Sequence, residues 1–337
     1  MTVLTGTTQT YGITSTGGIR EDLEDVIWDL FPEDTWAVSN LDKVDATATV
    51  HEWLSQQLAA AATNIGIEGD DASFTSLTSP VRWGNYTQIL SKTFLVSDTA
   101  EAVRKAGRGS EVARGAMVKM RELKRDLEFT SVTNTVASAG AAGTGRTMAG
   151  MENWIWGVLK NATVNTTVTA STAVLISAST VATTTPATSG IAVANIVDGT
   201  ANTLTLAALN LALQGAWSNG GDPSVILCTA KNKALIDGFT SIATRFVDVD
   251  AATQSPIIGA ANVYVSDYGR HTVVLHRYMR DQVVLCLDPN YWALAFLRRP
   301  MARELARTGD GTKYQIITEA TLVARNMQAS AKVVGCG

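Results

Sequence analysis

The chain has 337 residues, of which 46% are hydrophobic and 17% charged, and its formal net charge is −4. This length is enough to bury a sizeable core in one large domain or in two to three smaller ones. The slightly acidic balance provides no overall basic field. It therefore argues against a protein that binds nucleic acid by bulk electrostatic attraction, but it does not exclude a container around nucleic acid.

The first 19 residues are rich in threonine and glycine and predict a flexible arm. They have neither the basic start nor the apolar segment of a secretory signal. No uncharged apolar stretch is long enough to cross a bilayer. We therefore expect a soluble protein made in the cytosol. The three widely spaced cysteines, Cys228, Cys286 and Cys336, are expected to be reduced and buried.

Acidic side chains dominate residues 1–50, where nine acidic residues stand against two basic ones. Residues 20–31 predict an amphipathic helix that places Leu23, Ile27 and Leu30 on one face and is stopped by Pro32. Four acidic residues of this helix are referred to below as the acidic arm cluster: Glu21, Asp22, Glu24 and Asp25. The charge asymmetry predicts a basic partner surface.

Residues 44–56 and 81–97 predict two β segments of an extended two-stranded excursion, joined by a long loop at 60–80. A long hairpin with few core residues is not stable alone in water, so the excursion is expected to need a neighbour. Three acidic residues lie near its tip: Glu68, Asp70 and Asp71. They are too few for a calcium loop and favour solvent exposure or contact with a basic neighbour.

Two helices are predicted after the excursion. Asp98 is expected to cap the first, with Glu101 three residues on as in a capping box, and Gly107 is expected to follow its end. Ser110 is expected to start the longest helix, which continues to about Val136 with apolar residues at three- and four-residue spacing.

The longest helix also carries several basic residues, including Arg121, Lys124 and Arg125. One interpretation is an ordinary solvated helix face, which base rates favour. The other is a surface that pairs with the acidic arm cluster of a neighbouring subunit. Charge asymmetry alone does not decide between the two.

The rest of the chain mixes helices and strands. Residues 161–203 contain one charged residue, Asp198, and predict a neutral, β-prone insertion. The elements predicted after it are a helix at 204–217, a short buried strand at 224–228, a helix at 232–240, several strands after 256 and a long alternating strand at 313–326. Without a regular βαβ repeat, the class is α+β rather than a doubly wound sheet.

No arrangement of residues indicates catalysis or cofactor binding. The three histidines, His51, His271 and His276, lack metal-ligand spacing and are expected to be satisfied polar residues. The glycine-rich segment at 143–150 has neither dinucleotide-binding spacing nor the lysine of a phosphate loop. No nucleophile elbow is present. We therefore expect a structural protein that is not an enzyme and holds no metal or cofactor.

Several segments of the sequence resemble the major capsid proteins of tailed bacteriophages. They are residues 85–89, residues 91–129 with the charged helix, residues 145–156 (GRTMAGMENWIW) and residues 303–335. They lie in the family's order and span most of residues 20–337, whereas the neutral tract at 161–203 departs from the family pattern. The resemblance implies the α+β capsid fold shared by tailed phages and herpesviruses. That fold has an N-terminal arm, an extended E-loop, a P-domain with a spine helix, and an A-domain.

The expected division of the chain follows from this resemblance. It consists of an N-terminal arm at 1–42, an E-loop at 43–98, a P-domain at 99–160 with its spine helix at 110–136, the insertion at 161–203, an A-domain at 204–300 and a return to the P-domain at 301–337.

The implied function is assembly into pentamers and hexamers of an icosahedral shell around double-stranded DNA. The shell would form in the host cytoplasm and belong to the virion. The expected partners are further copies of the chain, a portal, a separate scaffolding protein and, as an option, decoration proteins. DNA would be contacted non-specifically, and no membrane is expected.

Charge asymmetry supplies the candidate inter-subunit contacts: Glu21, Asp22, Glu24, Asp25, Glu68, Asp70, Asp71, Arg121, Lys124 and Arg125. The alternative function is that of another phage structural protein, namely a decoration, tail or adhesin protein, which the neutral insertion would suit. A charged spine-like helix behind a β excursion suits that alternative poorly.

Overall fold

The computed structural model of the protein describes residues 35–155, 157–160, 203–239 and 263–336, except for single positions at 57, 60, 70, 72, 73, 75, 78, 106, 108, 134 and 308. The predicted arm helix and nearly all of the predicted insertion lie outside the described residues. The helices are α1 (Trp36–Asn40), α2 (Asp98–Ala102), α3 (Glu111–Val132), α4 (Met151–Trp154), α5 (Leu206–Ser218) and α6 (Ala230–Asp237).

The first six strands are β1 (Asp42–Asp45), β2 (Val50–Ser55), β3 (Val81–Tyr86), β4 (Gln88–Val96), β5 (Gly157–Lys160) and β6 (Val225–Cys228). The others are β7 (Val263–Ser266), β8 (Gly269–Leu275), β9 (Val283–Leu287), β10 (Trp292–Leu305), β11 (Thr312–Ala324) and β12 (Ala331–Val334). They form a four-stranded sheet of order β1-β10-β11-β4, a six-stranded sheet of order β5-β12-β9-β6-β8-β7, and the hairpin β2-β3. The predicted α+β class is confirmed.

The core lies on both faces of the six-stranded sheet. β9 reads VVLCL, and all five of its residues are buried. A run without alternation is typical of a strand that is covered on both faces. Val283 and Leu285 join the apolar cluster that contains Leu127 of α3, whereas Val284 packs in a second cluster with Leu213 of α5. The six-stranded sheet is therefore held between α5 on one side and the body around α3 on the other.

The longest helix, α3, begins where the sequence predicts. Ser110 is the N-cap, and its hydroxyl accepts a hydrogen bond from the Ala113 N–H at 3.2 Å. The helix ends at Val132, four residues before the predicted Val136. Thr133 is extended at the C-cap, and its carbonyl oxygen would lie 1.9 Å from a Cβ at Gly150. The Gly150 backbone therefore lies directly against the end of the helix.

The predicted two-stranded excursion is corrected in its second half. β2 and β3 do form an antiparallel hairpin, in which Trp53 is paired with Trp83. β4, however, leaves the hairpin and pairs antiparallel with β11 along its whole length. The long strand β11 supplies these hydrogen bonds from more than 200 residues away, so no local signal marks the change of partner at Thr87.

The helix after β4 is shorter than predicted and is capped by a different residue. Ser97, not Asp98, is the N-cap, and its hydroxyl accepts a hydrogen bond from the Ala100 N–H. The helix ends at Ala102 rather than near Gly107. Glu101 does not complete a capping box for this helix. Its carboxylate accepts a hydrogen bond from the Glu111 N–H at 2.9 Å and therefore satisfies the start of α3.

Each of the two sheets draws strands from more than one segment of the predicted division, which itself stays a prediction. β5 lies in the predicted P-domain and β12 in the predicted return to it, yet both belong to the six-stranded sheet, where they pair in parallel. Conversely, β10 begins inside the predicted A-domain but pairs with β1 and β11 of the four-stranded sheet. Turn residues in the sequence mark where strands end, but they do not show which sheet each strand joins.

Candidate assembly surfaces

The connection between β2 and β3, residues 56–80, exposes apolar side chains to solvent, and we call it the loop tip. Its described residues lie outside helices and strands, as predicted. Phe74 is 95% exposed, Leu77 94% and Leu58 91%, and Ile65 and Ile67 are exposed as well. Several large apolar side chains in one exposed segment indicate a surface that another molecule covers. Glu68 and Asp71 are also exposed in this segment, while Asp70 lies outside the described residues.

The base of the hairpin is fixed to the body by a buried asparagine. The Asn85 side chain donates hydrogen bonds to the carbonyl oxygens of Leu322 at 2.9 Å and Ala149 at 3.2 Å. It also accepts a hydrogen bond from the Ala149 N–H at 3.0 Å. These bonds connect the hairpin to β11 and to the segment before α4. The loop tip is therefore held out from a fixed base.

A second polar cluster surrounds the point where β3 ends and β4 begins. The Glu319 carboxylate accepts hydrogen bonds from Thr87 Oγ1 at 2.8 Å, Arg146 Nη2 at 2.5 Å and Arg298 Nε at 2.9 Å. Burial raises the pKa of Glu319. The hydrogen bonds from Thr87 and Arg298 and the charges of Arg298 and Arg146 outweigh burial, so the pKa lies below its ordinary value. We call this group the hinge cluster because it fixes Thr87, the residue between the two strands.

A third cluster joins the start of the described chain to α3 and the six-stranded sheet. The fully buried Glu128 of α3 accepts hydrogen bonds from the N–H groups of Ala37 and Val38, both at 2.8 Å. These N–H groups lie in the first turn of α1 and have no partner within that helix. His276, which follows β8, places Nε2 2.7 Å from the same carboxylate. Glu128 thus connects α3 with two distant parts of the chain, the first turn of α1 and His276.

A fourth buried contact connects α4 with the residues around β9. Glu152 is buried, and its carboxylate accepts hydrogen bonds from Arg280 through Nε at 3.1 Å and through Nη2. The fully buried Lys332 of β12 donates to the Glu152 carbonyl oxygen. A forked arginine–carboxylate pair fixes orientation as well as distance. This contact holds α4 and the six-stranded sheet in one arrangement.

Two of the three basic residues singled out on the long helix line an apolar groove. Arg121 and Lys124 are exposed and line a groove of about 340 Å³ between α1, α3 and β10, whereas Arg125 does not line it. Two further basic residues that the sequence analysis did not single out, Lys43 and Arg299, lie in the same lining. The apolar part of the lining consists of Val38, Met120, Leu123, Leu127, Phe296 and Pro300. The acidic arm cluster lies outside the described residues, so its pairing stays a prediction.

The predicted roles of the cysteines and two of the histidines are confirmed. All three cysteines are buried and unbridged, and burial raises the pKa of Cys228 and of Cys286 to about 12. His271 is buried between Ser266 Oγ, 2.7 Å from Nε2, and the Pro223 carbonyl oxygen, and burial lowers its pKa. His276 contacts Glu128 as described above. The cysteines are thus part of the buried core, and the two histidines form hydrogen bonds within the chain.

The side chains that organise the clusters have no local signal in the sequence. Glu128 lies 90 and 91 residues from the backbone groups that it caps, and 148 residues from His276. Glu319 is 173 residues from Arg146. Only the arrangement of the strands brings these residues together, so motif and spacing arguments miss them.

Within the described part of the chain, no group of three or more His, Cys, Asp or Glu side chains is placed to hold a metal ion. No described helix is both long and apolar enough to cross a membrane.

Comparison with solved structures defines the class of the fold. The chain is similar to a subunit from the capsid of a native GTA particle, with a TM-score of 0.63 and 10% identity, covering 97% of this chain and 99% of that one. It is equally similar to a subunit of the cyanophage A-1(L) capsid, with a TM-score of 0.63 and 12% identity, covering 96% and 99%. The fold is therefore that of phage-type capsid subunits.

Comparison of sequences identifies the family. Residues 4–337 match the model of the SU10 major capsid protein family, and the chain belongs to that family. It is also 38% identical over 100 residues to the major capsid protein of Escherichia phage Phieco32. That match covers 29% of this chain and 28% of the relative's length.

Proposed function

We propose that this protein is the major capsid subunit of a tailed phage and that it assembles through pentamers and hexamers into an icosahedral shell around double-stranded DNA. Membership of a major capsid protein family supports this role. The observation that carries the proposal is the loop tip, whose apolar side chains the described chain does not bury. The proposed role of the protein is structural and requires no catalytic residue.

The loop tip suits contact with a neighbouring copy of the chain. Complete burial of its five exposed apolar side chains would contribute roughly 7–15 kcal/mol before the cost of association is subtracted. A contact in which one surface of each copy meets a different surface of the next closes into a ring when the rotation allows it. Repetition around the ring would bury the loop tip of every copy. Closed rings of five and six are the arrangement that an icosahedral shell requires.

The sheets also suggest a revised division of the chain. We assign β5 and β12, together with α5, α6 and β6–β9, to the A-domain because they form or cover one sheet. The P-domain then consists of α3 with β1, β4, β10 and β11. The hairpin β2-β3 and the loop tip form the projecting part of the E-loop, and β4 is its return into the P-domain.

The remaining partners follow from the proposed role. A shell that encloses DNA needs a portal for its entry and must not bind the DNA tightly, which fits the net charge of −4. A separate scaffolding protein and decoration proteins are further candidates. The protein would then be assembled in the host cytoplasm and be located in the virion.

Assembly of loop-tip variants tests the proposal. We expect Phe74→Ser and Leu77→Ser, made together, to reduce the yield of large particles in light scattering several-fold without changing the unfolding midpoint of the isolated subunit. Both side chains are exposed, so their loss removes no core packing. Ser76→Ala is the matched control in the same segment. Equal particle yields from the double variant and the control would contradict the role of the loop tip.

A further inference from the structure

The apolar groove between α1, α3 and β10 has a distinctive combination of floor and rim. Its floor contains the buried side chains of Leu123, Leu127 and Phe296, with Met120 and Pro300 beside them. Around this floor stand four cationic side chains: Lys43, Arg121, Lys124 and Arg299. No acidic residue occurs among the described residues that line the groove. An apolar floor with a basic rim fits an amphipathic segment whose polar face is acidic.

Part of the rim is already used by the body of the protein. Arg299 pairs with Asp45 at 2.8 Å, and the pair is exposed on both sides. Lys124 donates a hydrogen bond to Ser39 Oγ at 3.1 Å. A hydroxyl leaves the charge of Lys124 uncompensated, and an exposed ion pair such as Arg299–Asp45 contributes little and exchanges easily with water. Lys43 and Lys124 therefore give the rim a net positive character.

Residues 20–31 have the complementary pattern. In a helix, Leu23, Ile27 and Leu30 lie on one face because they are spaced by four and three residues. The acidic arm cluster and Asp29 supply five carboxylates against the single positive charge of Arg20. The segment would be about 18 Å long as a helix. It thus offers an apolar stripe for the floor and carboxylates for the basic rim.

The position of the segment in the chain favours the groove of its own subunit. Residues 32–34 alone separate it from Thr35, and the four peptide steps from Phe31 to Thr35 span at most about 14 Å. Thr35 is the N-cap of α1, and α1 contributes Val38 to the groove wall. Glu128 fixes the start of α1 through Ala37 and Val38, so the end of the tether is held beside the groove. A neighbouring subunit would have to bring its own groove within the same short distance.

We propose that residues 20–31 dock as an amphipathic helix in the α1–α3–β10 groove of their own subunit. Leu23, Ile27 and Leu30 cover the apolar floor, and the carboxylates of Asp22 and Glu24, which lie about 100° to either side of this face, meet the basic rim. The docking closes an apolar and basic surface within each subunit before any assembly. It differs from the sequence-based hypothesis, in which the arm pairs with the helix of a neighbouring subunit, and it does not depend on shell formation.

Chemical cross-linking in the full chain tests the docking. In the variant Ile27→Cys/Met120→Cys, a short bis-maleimide should bridge the two new thiols within one chain. The bridged species should be detected as a monomer of altered mobility, in a yield independent of protein concentration. The native cysteines are buried, and the unsubstituted chain gives the background reaction. Asp25→Cys/Met120→Cys is the matched control, because residue 25 lies about 200° around the helix from residue 27.

The outcomes separate the possible occupants of the groove. Intrachain bridging several-fold above the control, reduced by Lys43→Glu with Lys124→Glu, is the expected result. Dimers that increase with protein concentration would assign the groove to a second copy and overturn the proposal. Equal yields from test and control would show that the arm does not dock there. Leu30→Cys/Pro300→Cys repeats the test on the opposite wall in case substitution of Met120 perturbs α3.

Discussion

The buried carboxylate of Glu128 provides a direct test of how the start of the described chain is held. In Glu128→Gln, one side-chain oxygen still accepts hydrogen bonds, but the other is replaced by an NH₂ group. This donor would face the N–H of Ala37 or Val38, which cannot accept a hydrogen bond, and that N–H group would lose its acceptor. A hydrogen bond to a charged group contributes about 1.5–3 kcal/mol, and a buried donor without a partner costs about 1–3 kcal/mol. We therefore expect Glu128→Gln to lower the free energy of unfolding by roughly 2.5–6 kcal/mol.

The assay is denaturant unfolding of the unassembled subunit, with hydrogen exchange at Ala37 and Val38 as a local measurement. Glu122→Gln is the control on the same helix. Among the described residues, Glu122 pairs only with the nearby, half-exposed Lys119 at 2.9 Å, and such a pair contributes at most about 1 kcal/mol. The reasoning fails if the two variants have the same midpoint, or if the amides of α1 exchange no faster in Glu128→Gln than in the control.

Three further predictions concern other parts of the molecule. The folded-state pKa of Glu319 is lowered, so its stabilising contribution is complete above the ordinary value of 4.5 and is lost as the pH falls through the lowered pKa. Glu319→Gln should therefore flatten the acid side of the stability–pH curve. An unchanged curve would contradict the stabilising role of Glu319 in the hinge cluster. Gly150→Ala places a Cβ 1.9 Å from the Thr133 carbonyl oxygen and should prevent folding or destabilise it strongly, whereas Gly215→Ala in α5 meets open space and should stabilise by up to about 1 kcal/mol in thermal unfolding. Replacing the acidic arm cluster with lysines should lower the assembly yield and change its salt dependence in light scattering, and no change in either would exclude a role of arm charge in assembly.

The sequence predicts those features of this fold that depend on local chemistry. Ser110 starts α3 as expected because an N-cap needs only a hydroxyl three residues before an N–H group. The helix predicted at 204–217 is α5, which ends at Ser218, and the following Gly220 has a positive φ of 80° that suits glycine. Buried strands such as β6 and β9 are recognisable from their continuous apolar runs. Each of these signals lies within a few neighbouring residues.

The parts that the sequence does not predict depend on distant partners. β4 follows β3 directly but pairs with β11, and β12 lies between β5 and β9 in the six-stranded sheet. The helix α3 ends four residues before the predicted end, at the point where the distant Gly150 backbone lies against it. The polar clusters around Glu128 and Glu319 exist only after these elements have met. Charge patterns did point to the side of α3 that lines the groove, but they did not reveal Lys43 or Arg299 across from it.

Electron microscopy of the full chain expressed alone, and then with candidate scaffolding partners, tests the central claim most directly. The proposed function predicts closed shells of uniform diameter, or rings and curved sheets built from fivefold and sixfold units. A subunit that stays monomeric under every condition, while the loop tip remains accessible to protease, would contradict a shell-forming role.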